Sequence, residues 1–330
     1  MNLACLTLLL IAGPPGEAPP DEPPGDFSRL HRIQTASSEE LRSLLRYTGD
    51  RLPIVSAHRG GSYEGFPENA LETYANTISH TFSLLEIDTR FTKDGQIVLH
   101  HDETLDRTTT GTGRLQDYTL AELKQLRLVD RSGRATAFQI PTLDEAFDWA
   151  RGKAILVLDK KVVPLERCIA EIQKHDAEGF AMIITGSVEQ AQTCHRLAPG
   201  LMMECFVGDR RKLEAFDASG VPWSSIVAFV GHQPPEDPGL LRMIHERGAL
   251  CMAGTSRHLD RELVDAEPAD MPELRRRYLD LLDGGVDLLE TDRPLEVGPI
   301  VSANADPTER QHRFLQAPRK DKDKASAGPN

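Results

Sequence analysis

Eight short apolar runs, each followed by a helix or a helix-length connection, constrain this chain more than any other feature. They are Pro53–Ala57, Leu84–Asp88, Ile155–Asp159, Ala181–Ile184, Leu201–Phe206, Ile226–Val230, Ala249–Met252 and Val286–Leu289. Between them, sets such as Leu71, Tyr74, Ala75, Ile78 and Leu165, Cys168, Ile169, Ile172 recur at three and four residues, one face of an α-helix. Repeated β-α alternation implies a parallel sheet, and eight units imply that it closes. The expected fold is therefore α/β, a (β/α)8 TIM barrel with a small insertion after the second strand. No GxGxxG turn follows the first run, which disfavours an open doubly wound sheet. Hydrophobic residues make up 39% and aromatics only 5%. That suits an aliphatic core between strands buried on both faces.

A barrel of this kind needs about 250 residues, so a chain of 330 leaves two ends to assign. Residues 1–26 read as a possible export signal and a Pro-rich linker. The apolar run from Leu3 to Gly13 is too short to span a bilayer, and it resembles the hydrophobic part of a secretory signal without the usual preceding Lys or Arg. The expected location is outside the cytoplasm, or within it if this segment is not a signal; no transmembrane segment is expected. The barrel domain spans 27–301, with the insertion at about 103–140, and 302–330 reads as a disordered tail, being polar and without periodicity. Inside the insertion, Thr119 and Glu122 make a capping box. Net charge is −13, and no run of Lys and Arg is interleaved with aromatics, so a nucleic-acid surface is excluded. Five cysteines show no close pairing, which argues against a disulfide scaffold or a zinc cluster.

Functional side chains of a barrel gather at the carboxyl ends of its strands. His58 and Arg59 end the first, before Gly60 and Gly61. Glycines there allow close backbone approach to a ligand, and Arg gives bidentate contact to phosphate. Glu86 and Asp88 are two apart on the second strand, so they share a face and interrupt an apolar run. Burying both without a cation is costly. With Asp159 at the end of the third strand they form a hard oxygen set suited to Mg²⁺ or Ca²⁺. Lys161 is either a phosphate contact or a surface lysine. His100 and His101 alternate faces, so at most one reaches the mouth. Asp102 either orients His101 or opens the following loop. Glu68 and Asn69 read as caps of the next helix.

Taken in order, His58-Arg59-Gly60, Pro67-Glu68-Asn69, Glu86-Ile87-Asp88, Thr92-Lys93-Asp94-Gly95, His101-Asp102, Asp106-Arg107-Thr108-Thr109, Gly285-Val286-Asp287 and Thr291-Asp292-Arg293-Pro294 resemble the glycerophosphodiester phosphodiesterases. The dense part of the resemblance runs from about Ile54 to Leu126. It implies hydrolysis of a small-molecule glycerophosphodiester to glycerol 3-phosphate and an alcohol. It also implies a divalent metal cation on Glu86, Asp88 and Asp159, and His58 with His101 as the acid-base pair. Arg59 and Lys161 would then hold the phosphate, Glu68 and Asp102 would support, and the insertion would cap the mouth. Three departures bear on substrate identity. Asp159 stands where the family has Glu, Cys251–Thr255 replaces a Trp-containing strand end, and Glu290 replaces an apolar residue. A phosphodiesterase acting on lysophospholipids and a non-catalytic barrel that binds phosphoryl ligands are the alternatives.

Overall fold

The computed structural model of the chain describes residues 30–233 and 235–318. Eight strands, β1 (Ile54–Ala57), β2 (Phe82–Phe91), β3 (Ile155–Asp159), β4 (Ala181–Thr185), β5 (Met202–Phe206), β6 (Ile226–Gly231), β7 (Leu250–Gly254) and β8 (Leu288–Thr291), pair in parallel in chain order. β8 pairs with β1 and closes the barrel. Eight helices form the outer layer: α1 (Leu71–His80), α2 (Leu143–Ala150), α3 (Leu165–Lys174), α4 (Val188–Leu197), α5 (Arg210–Asp217), α6 (Leu240–His245), α7 (Met271–Asp283) and α8 (Pro294–Ser302). The expected TIM barrel is the observed one, and each expected run is a barrel strand.

Strand alternation sorts the side chains. On β2, Leu85 and Ile87 pack outward with Tyr74 and Ile78 of α1, while Leu84 joins the inner cluster. Glu86 and Asp88 continue the inward row. On β3, Leu156 and Leu158 face out and Ile155 and Val157 face in, which turns Asp159 inward. β5 repeats the pattern with Met202 and then Glu204, and β8 with Leu288 and then Glu290. The barrel interior is thus apolar at its amino end and charged at its carboxyl end.

The amino end is stoppered. A helix at Ser38–Leu44, capped by the Ser37 side chain, sends Leu41 and Leu44 into the inner cluster, where Leu45, Leu52, Phe314 and Leu315 join them. This corrects the expectation of a disordered tail from 302: Glu309–His312 is helical, and Leu315–Gln316 pairs antiparallel with Arg32–Ile33. The reason is that two apolar residues are too few to show a period, yet both find the open barrel floor. Gln311, fully buried, also donates to the Arg51 carbonyl at 3.1 Å. Residues 319–330 lie outside the described residues, as do the apolar run and linker of 1–26. Phe314→Ala should cost about 3 kcal/mol by leaving a cavity under the barrel. Urea denaturation reads this, and a loss under 1 kcal/mol, on the order of a surface substitution, would show that the segment contributes little.

β2 runs past the barrel rim to Phe91, turns at Lys93–Asp94–Gly95, with Gly95 at φ 76°, and returns as Ile97–Leu99. The insertion that follows has its own small core, including Leu105, Leu115, Leu123, Leu128 and Phe138. Thr119 and Glu122 form the expected capping box. Among the described residues no helix is long and apolar enough to cross a membrane.

Candidate active site

Asp88 and Asp159 are register partners on neighbouring strands. Ligand oxygens of Glu86, Asp88 and Asp159 all lie within 4.8 Å of one another. Their surroundings are built to hold them. The Arg59 backbone N–H donates to Glu86 Oε2 at 2.7 Å. Asn69 clamps Asp88 from both sides: its Nδ2 donates to Oδ2 at 2.7 Å, and its Oδ1 accepts the Asp88 N–H at 3.0 Å. Asn69 therefore does not cap α1, whose N-cap is Ala70. Asp88 Oδ1 is buried without a hydrogen bond, although Lys161 Nζ is 2.8 Å away and also meets Asp159. Lys161 is thus a site residue rather than a surface lysine. Burial pushes Glu86 well up, with Asp88 adding to it, whereas for Asp88 burial is outweighed by Lys161, His101 and Asn69 and the carboxyl stays low.

The two histidines are held differently. His58 Nδ1 donates to Asp292 Oδ1 at 2.6 Å. Burial disfavours its charge, but the Asp292 hydrogen bond and the carboxylates of Glu86 and Glu290 prevail and lift its pKa to about 10. His101 Nδ1 donates to Asp102 Oδ1 at 2.7 Å; here burial prevails and the imidazole is pushed down. Asp102 is therefore the orienting group for His101 and not merely the start of a loop. His100 faces away, is buried, and is lowered to about 4 by that burial.

Arg59 has φ 53°, followed by Gly60 at 82° and Gly61 at 80°. The glycines serve packing rather than ligand approach. A Cβ on Gly60 would sit 2.3 Å from the Tyr74 ring, and one on Gly61 2.2 Å from Pro294. The tight turn they permit aims the Arg59 N–H at Glu86. The Arg59 side chain contacts Glu68 at 3.2 Å and Asp88 at 3.8 Å. Glu68 in turn accepts from Arg107 at 2.7 and 2.8 Å, and Arg107 also donates to Asp102. One arginine of the insertion thereby ties Glu68 after β1 to Asp102 beside His101.

Four residues at this mouth carry no role in the sequence reading: Arg107, Asp292, Glu204 and His232. Glu204 interrupts an apolar strand as Glu86 does, and that signal was available. Asp292 and Arg107 lie in quoted motifs, but their partners are distant in sequence. His232 and Gly254 explain the altered end of β7, where a Cβ on Gly254 would sit 2.2 Å from the His232 ring. Phe206 and Phe229, with ring centroids 5.0 Å apart, line the same cavity. Glu290 lines the cavity rather than the outer surface. The cavity of 710 Å³ is bounded by His58, Arg59, Glu86, His101, Asp159 and Lys161, with Glu204, Phe206, His232 and Asp292.

A closed parallel barrel with paired imidazoles, a guanidinium and an ammonium around one polar cavity defines a barrel phosphodiesterase. The sequence profile of the glycerophosphoryl diester phosphodiesterase family matches residues 58–296, and the chain belongs to that family. A crystal structure of a glycerophosphoryl diester phosphodiesterase from Parabacteroides distasonis is 40% identical, with a TM-score of 0.82 over 87% of this chain and 99% of that one. A glycerophosphodiester phosphodiesterase of Caldanaerobacter subterraneus subsp. tengcongensis is 33% identical over 164 residues, 46% of this chain and 67% of that protein. An Oleispira antarctica phosphodiesterase, solved in complex with the product sn-glycerol-3-phosphate, shares the fold at 22% identity and a TM-score of 0.57, over 76% of this chain and 97% of that one.

Proposed function

We propose that the protein hydrolyses glycerophosphodiesters to glycerol 3-phosphate and an alcohol, by acid-base catalysis between His58 and His101. The observation that carries this reading is the placement of two imidazoles on the wall of one cavity, each with its Nδ1 hydrogen-bonded to its own aspartate, His58 to Asp292 and His101 to Asp102. His101 takes the proton of the glycerol hydroxyl that attacks phosphorus, and His58 gives a proton to the departing alcohol oxygen, leaving a cyclic glycerol phosphate. In a second step the two exchange roles: water, deprotonated by His58, opens the ring to glycerol 3-phosphate while His101 protonates the released glycerol oxygen. Arg59 and Lys161 bind the phosphoryl oxygens, and Glu68 and Asp102 keep Arg59 and His101 in place through Arg107.

Glu86, Asp88 and Asp159 fit a hard divalent cation, Mg²⁺ or Ca²⁺: all donors are carboxylate oxygens within 4.8 Å of one another, and the Lys161 ammonium against Asp88 Oδ1 shows that the cluster attracts positive charge. When bound there, such a cation supplies positive charge against the phosphoryl oxygens. The test is a panel of glycerophosphodiesters and lysophospholipids, with and without Mg²⁺ and Ca²⁺, reading release of glycerol 3-phosphate. Turnover of glycerophosphodiesters is expected. Ligand binding by calorimetry with no turnover across the panel would instead make this a phosphoryl-binding barrel, and turnover confined to lysolipids would move the substrate class.

A further inference from the structure

The mouth presents more positive charge than one phosphodiester engages. Arg59 and Lys161 are already committed, lying against Asp88, with Arg59 also on Glu68 and Lys161 also on Asp159. Arg131, Arg257 and Arg261 line the same cavity, and among the described residues none forms an ion pair. Arg210, Arg247, Arg276 and Arg277, which lie outside this cavity, are paired with Asp237, Asp217, Asp280 and Glu262, whereas Arg196, Arg211 and Arg275 are exposed and, among the described residues, form no ion pair. What sets Arg131, Arg257 and Arg261 apart is that they line the cavity. These three arginines share a side, whereas Lys160, which also lines the cavity, follows β3. Arg257 and Arg261 follow β7, and Arg131 reaches from the insertion to the Ser62 carbonyl after β1, at 3.3 Å. β8 lies between β7 and β1, whereas Asp88 and Asp159 rise from β2 and β3.

We propose that the guanidiniums of Arg131, Arg257 and Arg261, on the β7–β8–β1 side of the cavity, form a second anion subsite, and that the preferred substrates carry a carboxylate or a phosphomonoester on the alcohol moiety of the diester. This rests on the hydrolytic reading above. The glycerol moiety has only hydroxyls, so a second charge must belong to the alcohol. Unpaired guanidiniums in a concave wall match such an oxyanion with two parallel hydrogen bonds. A chain of net charge −13 repels anions at long range, so a local basic cluster is what lets a doubly anionic substrate enter. Glu290 of β8 and Asp292 just after it line the same cavity, so the subsite is drawn at the guanidiniums of Arg131, Arg257 and Arg261 and not at the strand between them.

The experiment measures kcat/KM of the full chain on glycerophosphodiesters with four head groups: glycerol (neutral), choline (cationic), glycolate (carboxylate, with no ammonium) and an inositol phosphate (phosphomonoester). The carboxylate or phosphomonoester arm is expected to exceed the neutral one by about tenfold or more, the advantage shrinking as salt rises. The two anionic arms separate which oxyanion is recognised. R257E/R261E should cut the anionic-to-neutral ratio by at least about tenfold, the equivalent of one or two charge-assisted contacts; R131A, read the same way, guards against a double variant that folds poorly. Equal kcat/KM across head groups, or a ratio unmoved in both variants, overturns the inference while leaving the hydrolytic reading intact. Loss of binding to anionic vesicles with an unmoved ratio would assign the arginines to a membrane surface and also overturn it. No turnover of any diester removes the hydrolytic reading and this inference together.

Discussion

His101→Gln is expected to lower kcat on a glycerophosphodiester by roughly 10²–10⁴-fold with little change in KM. The side chain lies at the cavity wall, half-buried, and its one protein hydrogen bond is to Asp102. Its loss removes a proton acceptor without opening the core. His58→Gln should match it on ordinary substrates and differ on one with a good leaving group. A departing oxygen of low basicity needs no proton, so such a substrate should recover most of the His58→Gln loss and little of the His101→Gln loss. Steady-state kinetics on both substrates decide the assignment. The reverse recovery would exchange the two roles, and recovery of neither would mean that both imidazoles position rather than transfer protons.

The second large effect concerns the acids. Asp88→Ala should abolish divalent cation binding measured by calorimetry, and Asn69→Ala should weaken it by about 10–100-fold. Asn69 touches Asp88 through both its amide nitrogen and its amide oxygen. Without it only the Lys161 contact, 2.8 Å from Oδ1, still fixes the carboxylate, and Oδ2 loses its partner. A chelator should remove turnover in the parent chain, and added Mg²⁺ or Ca²⁺ should restore it. Full activity in chelator would remove the cation from the mechanism and leave Lys161 and Arg59 as the only charges on the phosphate.

Some of the site was readable because its signals are local. Glu86 and Asp88 break an apolar strand with period two, and that pattern alone places both on the inner face. Glu204 breaks β5 in the same way but carries a weaker signal. It has no neighbouring acid two residues away, and a lone strand carboxylate is weak evidence. The roles of Glu68 and Asn69 are less legible, because their partners are distant in sequence. Asn69 reaches a residue nineteen positions on, and Glu68 one thirty-nine positions on. The segment after 302 misled for a related reason: Phe314 and Leu315 are buried against a helix near the other end of the described chain.

By itself the sequence determined the barrel, the order of its strands and the identity of the side chains at their carboxyl ends. These follow from hydrophobic periodicity, which acts between near neighbours. Tertiary structure alone decided which partners His58 and Glu68 meet. Closing β8 against β1 sets Asp292 beside His58, two residues 234 positions apart. Packing the insertion over the mouth lets Arg107 join Glu68 to Asp102. The physical reason is that a proton's affinity for an imidazole depends on the charges within a few ångströms of it, and which charges those are is set by barrel closure rather than by adjacency along the chain.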